Sequence, residues 1–114
     1  MTINSLSLEN PIRDLNDAMR NTGISSGRWM MTAGVQELGP EFVLLATREV
    51  QTFSAFSDEN DPYGEHEFGA FDIAGHQLFW KIDYYDRDLC YGSSDPSDPS
   101  VTTRVLTIML ASEY

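Results

Sequence analysis

Basic side chains are scarce in this chain of 114 residues: seven lysines and arginines stand against eighteen aspartates and glutamates, a formal charge of −11. A field of that sign repels phosphate backbones and anionic lipid surfaces, so direct nucleic-acid or membrane-surface binding is not expected. Cysteine is nearly absent. Cys90 has no second thiol to pair with, and no Asn-x-Ser/Thr glycosylation site occurs, which fits a reducing compartment. Long apolar runs are missing too: nothing approaches the roughly 18 residues needed to span a bilayer. The first ten residues, MTINSLSLEN, lack the basic and apolar regions of an export signal. These absences predict a cytoplasmic protein. Also lacking are a Gly-x-x-x-x-Gly-Lys phosphate loop, a Gly-x-Ser-x-Gly elbow and a His-Glu-x-x-His pair, each of which would have pointed to a defined chemistry.

Apolar residues, by contrast, make up 41% of the chain, with six Phe, five Tyr and two Trp. That is enough to bury a core, and it argues against an acidic disordered tail. Residues 1–8 read as a flexible leader and 9–114 as a single α+β domain. Asn10 as N-cap and Pro11 at the first helical position open a helix whose Ile12, Leu15 and Met19 share a face, with Gly23 after its end. Arg28 to Thr32, between Gly27 and Gly34, suits a short strand. Gly39 and Pro40 precede a second helix reaching about Phe53, with Val43, Ala46, Val50 and Phe53 on one side.

Residues 65–85 carry the clearest β pattern, turned at Ala74-Gly75. In the resulting register Ile73 faces His76, Phe71 faces Leu78, Gly69 faces Trp80, Phe68 faces Lys81, and His66 faces Asp83. One side of the hairpin then presents Phe71, Ile73, Leu78, Trp80, Ile82 and Tyr84 to the helices. The other, with His66, Phe68, Phe79, Lys81 and Asp83, stays wet or meets a partner. A loop from Gly92 to Ser100 repeats Asp-Pro-Ser twice. For the last segment, 101–114, Val, Thr and Ile favour a strand, while Asp98 and Pro99 offer a helix start, and a helix is expected. The fold predicted is therefore a three-stranded antiparallel sheet with helices on one face, in the order helix, strand, helix, strand, strand, helix.

The charge is concentrated. From Asp58 to Asp98 eleven carboxylates accompany only Lys81 and Arg87, so this stretch carries nine of the eleven net charges. Within it, residues 58–67 hold five carboxylates and His66, dense enough to raise a metal-site question. A calcium loop fails, because Pro62 takes the place of the third ligand and Tyr63 that of the glycine at the sharp turn. A transition-metal site would have one good ligand, since His76 lies far up the hairpin from His66. No metal or cofactor is expected. Beside Asp83, His66 has the orienting carboxylate that general base work requires, but no nucleophile accompanies it. Asp86 and Asp88 precede Cys90 and disfavour a nucleophilic thiolate, so Cys90 is expected to be a half-buried, inert thiol.

Several runs carry a resemblance: Asn60-Asp61-Pro62 with Gly64-Glu65-His66, Phe68-Gly69-Ala70-Phe71, Phe79 through Asp86, and Thr103 through Tyr114. Over about residues 11 to 114 they resemble the small family called domain of unknown function 3768, which implies a bacterial cytoplasm, or the host cytoplasm for a phage or plasmid product. The resemblance implies a bacterial single domain associated with plasmid and mobile-element gene sets, without an assigned activity, and it transfers no catalytic residue.

Charge and resemblance together point to a non-enzymatic protein-interaction domain. Its carboxylates would enter a basic cleft, as in a nucleic-acid mimic that inhibits a CRISPR effector or a restriction-type nuclease. The residues expected to meet the partner are Asp58, Glu59, Asp61, Glu65, Glu67, Asp83, Asp86, Asp88, Asp95 and Asp98, with aromatic support from Tyr63 and Tyr85. Two alternatives stay open: a small metal-dependent or acid–base enzyme using His66, Asp61, Glu65 and Asp83, and a self-associating accessory domain of a mobile element.

Overall fold

The side chain of Asn10 accepts a hydrogen bond from the Arg13 amide at 3.0 Å, and the first helix starts there as the sequence predicts. This helix, α1, spans Pro11–Thr22 and stops at Gly23, whose φ of 68° most other residues would resist. The computed structural model describes residues 10–23 and 28–114; the predicted leader, 1–8, lies outside them. The chain continues through β1 (Trp29–Met31), a short helix α2 (Ala33–Gln36), α3 (Pro40–Thr52), β2 (Phe68–Ile73), β3 (His76–Tyr85) and β4 (Thr103–Leu110), and closes with a 3₁₀ turn at Ala111–Glu113.

The described residues form an α+β fold with one four-stranded mixed sheet in the order β1-β4-β3-β2. This corrects the expectation of three antiparallel strands and a final helix. Residues 103–110 form a central strand, antiparallel to β3 and parallel to β1. Tertiary pairing on both edges, together with Val105, Thr107 and Ile108, outweighs the helix start that Asp98 and Pro99 imitate. Asp98 instead accepts hydrogen bonds from the Ser100 amide and hydroxyl, at 2.9 and 2.7 Å, and so turns the loop. The hairpin register is as the sequence predicts from Phe68↔Lys81 to Ile73↔His76.

Alternation divides the sheet into two faces. Phe71, Leu78, Trp80, Ile82, Leu106 and Ile108 meet Met19, Val35, Phe42, Ala46 and Val50 from the helices in one core. Trp80, at its centre, is fully buried opposite Gly69. A Cβ on Gly69 would collide with the Trp80 indole nitrogen and stand 2.8 Å from the Phe53 ring, so the strand needs glycine there for close packing rather than for a special backbone angle.

Polar groups on the buried face of α1 have tertiary partners. Asn16, fully buried, donates to Glu65 O at 3.0 Å and to the Tyr84 hydroxyl at 2.8 Å, and accepts from Arg104 Nε at 2.8 Å. Burial, the main cause, raises the Tyr84 phenol to about 12. Arg20, one turn further, donates to the backbone oxygens of Val50 and Phe53 and pairs with Asp17 at 2.9 Å. Its guanidinium lies over the Phe56 and Trp80 rings, 5.3 and 5.0 Å from their centroids. At the other end of the sheet Glu113 accepts from the Thr32 hydroxyl at 2.6 Å and from the Leu110 and Gly34 amides, tying the last turn to the start of α2. Those donors hold its carboxyl below the usual range.

Candidate acidic and aromatic groove

The uncovered face of the sheet carries Phe68, paired with Lys81 across the ladder, and Phe79, two residues before Lys81 on the same strand. β4 delivers Tyr114 to the same face, where its ring centroid lies 5.3 Å from that of Phe79 and 6.2 Å from that of Phe68. Across from this aromatic cluster stands the loop 57–67, fixed by its own side chains. Asn60 accepts from the Ser57 amide and donates to Ala55 O. Asp61, whose side chain is only 7% exposed, accepts from the amides of Glu65 and His66. Asn10 adds a second tie by donating to Tyr63 O and Gly64 O, each at 3.2 Å.

Between loop and sheet runs a groove of about 390 Å³ lined by Asp61, Tyr63, Glu67, Lys81, Asp83 and Tyr114, among others. Tyr63 and Tyr114 are 79% and 76% exposed. Lys81 and Asp83, two residues apart on one strand face, pair at 2.9 Å, and that bond raises the Lys81 pKa. Glu67 is the unusual group. Burial first, then its hydrogen bond with Glu65, then the charges of Glu65, Asp61 and Asp83 raise its carboxyl from 4.5 to about 7. Burial and the neighbouring carboxylates thus favour the protonated form of Glu67.

Of the twelve residues expected to meet a partner, the groove gathers Asp61, Tyr63, Glu67 and Asp83, with Glu65 adjoining through Glu67. Asp58 and Glu59 lie exposed in the same loop. Tyr85 stands near the end of β3, paired with Thr103. Asp86 accepts from the Cys90 amide, Asp95 from the Ser97 amide and hydroxyl, and Asp98 from Ser100, whose two bonds lower its pKa. Asp88 is exposed beside them. Among the described residues Asp83 alone of the ten nominated carboxylates has a lysine or arginine within 4 Å.

Tyr114 and Phe68 were not among the nominated residues. Phe68 was legible from the hairpin register, which places it on the same face as Asp83, but nothing local marks Tyr114. It joins the groove because the preceding segment is a strand.

His66 does not face Asp83. Its φ of 55° takes it out of the ladder, and the ring turns to the helix side, stacked on Phe56 at 3.8 Å. There Nδ1 lies 2.9 Å from Asp17 Oδ1, and Nε2 lies 3.8 Å from Asp61 Oδ2. His76 packs edge-on against Phe42. Among the described residues no three His, Cys, Asp or Glu side chains are grouped to hold a metal ion. Cys90 is exposed rather than half-buried, because the 86–92 turn points it outward while its Sγ approaches Asp88 O at 3.5 Å. No helix among the described residues is long and apolar enough to cross a membrane.

The family model described as protein of unknown function (DUF3768) matches residues 31–113. Neither a curated protein nor a solved structure matches the chain.

Proposed function

Starting from the DUF3768 family, to which this chain belongs, we propose that the protein is a non-enzymatic, acidic protein-interaction domain whose groove and neighbouring loops dock on a basic protein surface. The basic surface is a cleft built for phosphates, as on a CRISPR effector or a restriction-type nuclease of a bacterium, and the domain occupies it as a nucleic-acid mimic encoded by a mobile element. One observation carries the reading: among the described residues nine of ten nominated carboxylates have no lysine or arginine within 4 Å, and several border a groove with two exposed tyrosines. Carboxylates without an internal cation supply long-range attraction, and tyrosines beside them supply rigid contact area and a face for an arginine.

Purified bacterial nucleases and CRISPR effectors, assayed for DNA cleavage with the protein added at low salt, test this. Inhibition is expected for at least one effector, weakening as salt rises and falling at least about tenfold in the Tyr63→Ala/Glu67→Gln variant. An approaching cation favours ionised Glu67, so affinity is expected to strengthen as pH rises through about 7. Inhibition that ignores salt, or a variant as potent as the parent, contradicts the reading.

A second reading has one supporting observation, the Asp17–His66 contact at 2.9 Å beside a cavity that Gln51, Phe53 and Arg20 also line. An aspartate on Nδ1 orients an imidazole for acid–base work. A hydrolytic activity lost in His66→Ala but retained in Tyr63→Ala/Glu67→Gln would favour it over the docking role.

A further inference from the structure

The chain has six arginines and one lysine, and three of those seven cations line a single cavity. Arg28 precedes β1, Arg87 follows β3, and Arg104 belongs to β4; they meet where the ends of these strands pass α1. The cavity measures about 350 Å³, within the range of small-molecule sites. Among the described residues none of those lining it is a carboxylate, in a chain with eighteen of them. Leu15, Met19 and Pro99 supply apolar wall.

The arginines retain unspent donors. Arg104 uses Nε on Asn16 and Nη2 on Pro96 O, which leaves the rest of its five N–H groups. Arg87 makes one long bond, 3.4 Å to Pro99 O. Arg28 is exposed, and among the described residues no carboxylate lies within 4 Å of any of the three. Folding therefore places three like charges around one hollow with no carboxylate paired to them among the described residues, an arrangement that a bound anion stabilises. Burial lowers the Arg104 pKa, the sign of a cation short of compensation.

We propose that this cavity binds a small molecule with an oxyanion head, phosphate or carboxylate, on a short apolar body. Guanidinium forks hold the oxyanion, and Leu15 and Met19 cover the body. The net charge selects for size. A single oxyanion inside the cavity stays in the hollow that the three cations line, whereas a polynucleotide would extend beyond a Debye length of about 8 Å into the field of the acidic loops. The site is separate from the groove, and neither proposal requires the other.

Calorimetric titration of the full chain with hexyl phosphate, hexanoate, inorganic phosphate and a short single-stranded DNA, at matched ionic strength, tests it. Saturable binding of hexyl phosphate or hexanoate is expected, at least about tenfold tighter than inorganic phosphate, with the tighter of the two identifying the head group. Arg28→Gln and Arg87→Gln should each weaken it at least about tenfold. Both side chains are exposed and contribute little to folding, and circular dichroism would verify that. Arg48→Gln, on α3 and outside the cavity, should bind as the parent does. No saturable heat from either hexyl compound, equal binding by the Arg28 and Arg87 variants, or tighter binding of the DNA would overturn the proposal.

Discussion

The two faces of the sheet use polar groups in opposite ways. On the helix side Asn16, Arg20, Tyr84 and Arg104 are buried or half-buried, and each makes hydrogen bonds within the fold, with Arg20 Nε left as a buried donor that has no partner among the described residues. On the open side Glu67 and Glu65 press against each other, Asp61 and Asp83 add their charge, and among the described residues Lys81 is the one cation lining the groove. The first arrangement serves stability. The second works against it, because burial first and then the neighbouring carboxylates raise Glu67 to about 7, and a sequence shaped by stability alone would have placed a neutral or basic residue there. Groups that a fold tolerates at a cost are candidates for a role outside the fold.

Substitution should separate the two regions. Asn16→Ala removes three hydrogen bonds and leaves Arg104 Nε and Glu65 O without that partner, at an expected cost of about 3 kcal/mol in denaturant unfolding. A loss under about 1 kcal/mol would mean that water replaces the amide and that the helix side is less closed than its burial implies. Glu67→Gln should act with the opposite sign. A carboxyl raised in the folded state binds its proton more tightly there than in the unfolded chain. The native protein therefore gains from protonation below 4.5 and loses that gain as pH rises towards 7. Relative to the parent, Glu67→Gln should be more stable at pH 8 than at pH 5, and urea midpoints at the two pH values check it. A variant whose relative stability is flat across that range would show that Glu67 is not crowded. The smallest effect belongs to Asp58→Asn/Glu59→Gln. Both residues are exposed and, among the described residues, have no lysine or arginine within 4 Å, so unfolding should shift by no more than about 0.5 kcal/mol while partner affinity falls.

The sequence disclosed these regions unequally. The hairpin was legible down to its residue pairs, because Gly75 marks the turn and the apolar residues alternate from Phe71 to Tyr84. Both longer helices were legible from Asn10-Pro11 and Gly39-Pro40. The buried polar cluster also left a trace: Asn16 and Arg20 follow Ile12 at four-residue steps, on the same helix face as the apolar stripe. The last strand was misread because Asp98-Pro99 is equally good as a turn and as a helix start, and the choice rests on β3 and β1, which lie far off in sequence. With that strand went Tyr114, and so the aromatic wall of the groove. His66 was misplaced for a local reason, since a positive φ at a non-glycine residue breaks the alternation that the register assumes. The carboxylates themselves were visible in composition alone, while their meeting around Glu67 depends on how Asp61 folds the 61–66 loop.

Amide chemical-shift mapping by NMR with an added arginine- and lysine-rich peptide is the most direct test of docking at the groove. Shifts are expected to concentrate on residues 61–68, 81–85 and 114, and to diminish in Tyr63→Ala/Glu67→Gln. Shifts of equal size over every acidic loop, including 95–100 and 86–88, and unchanged in that variant would contradict it, reducing the charge to a diffuse field without a binding site.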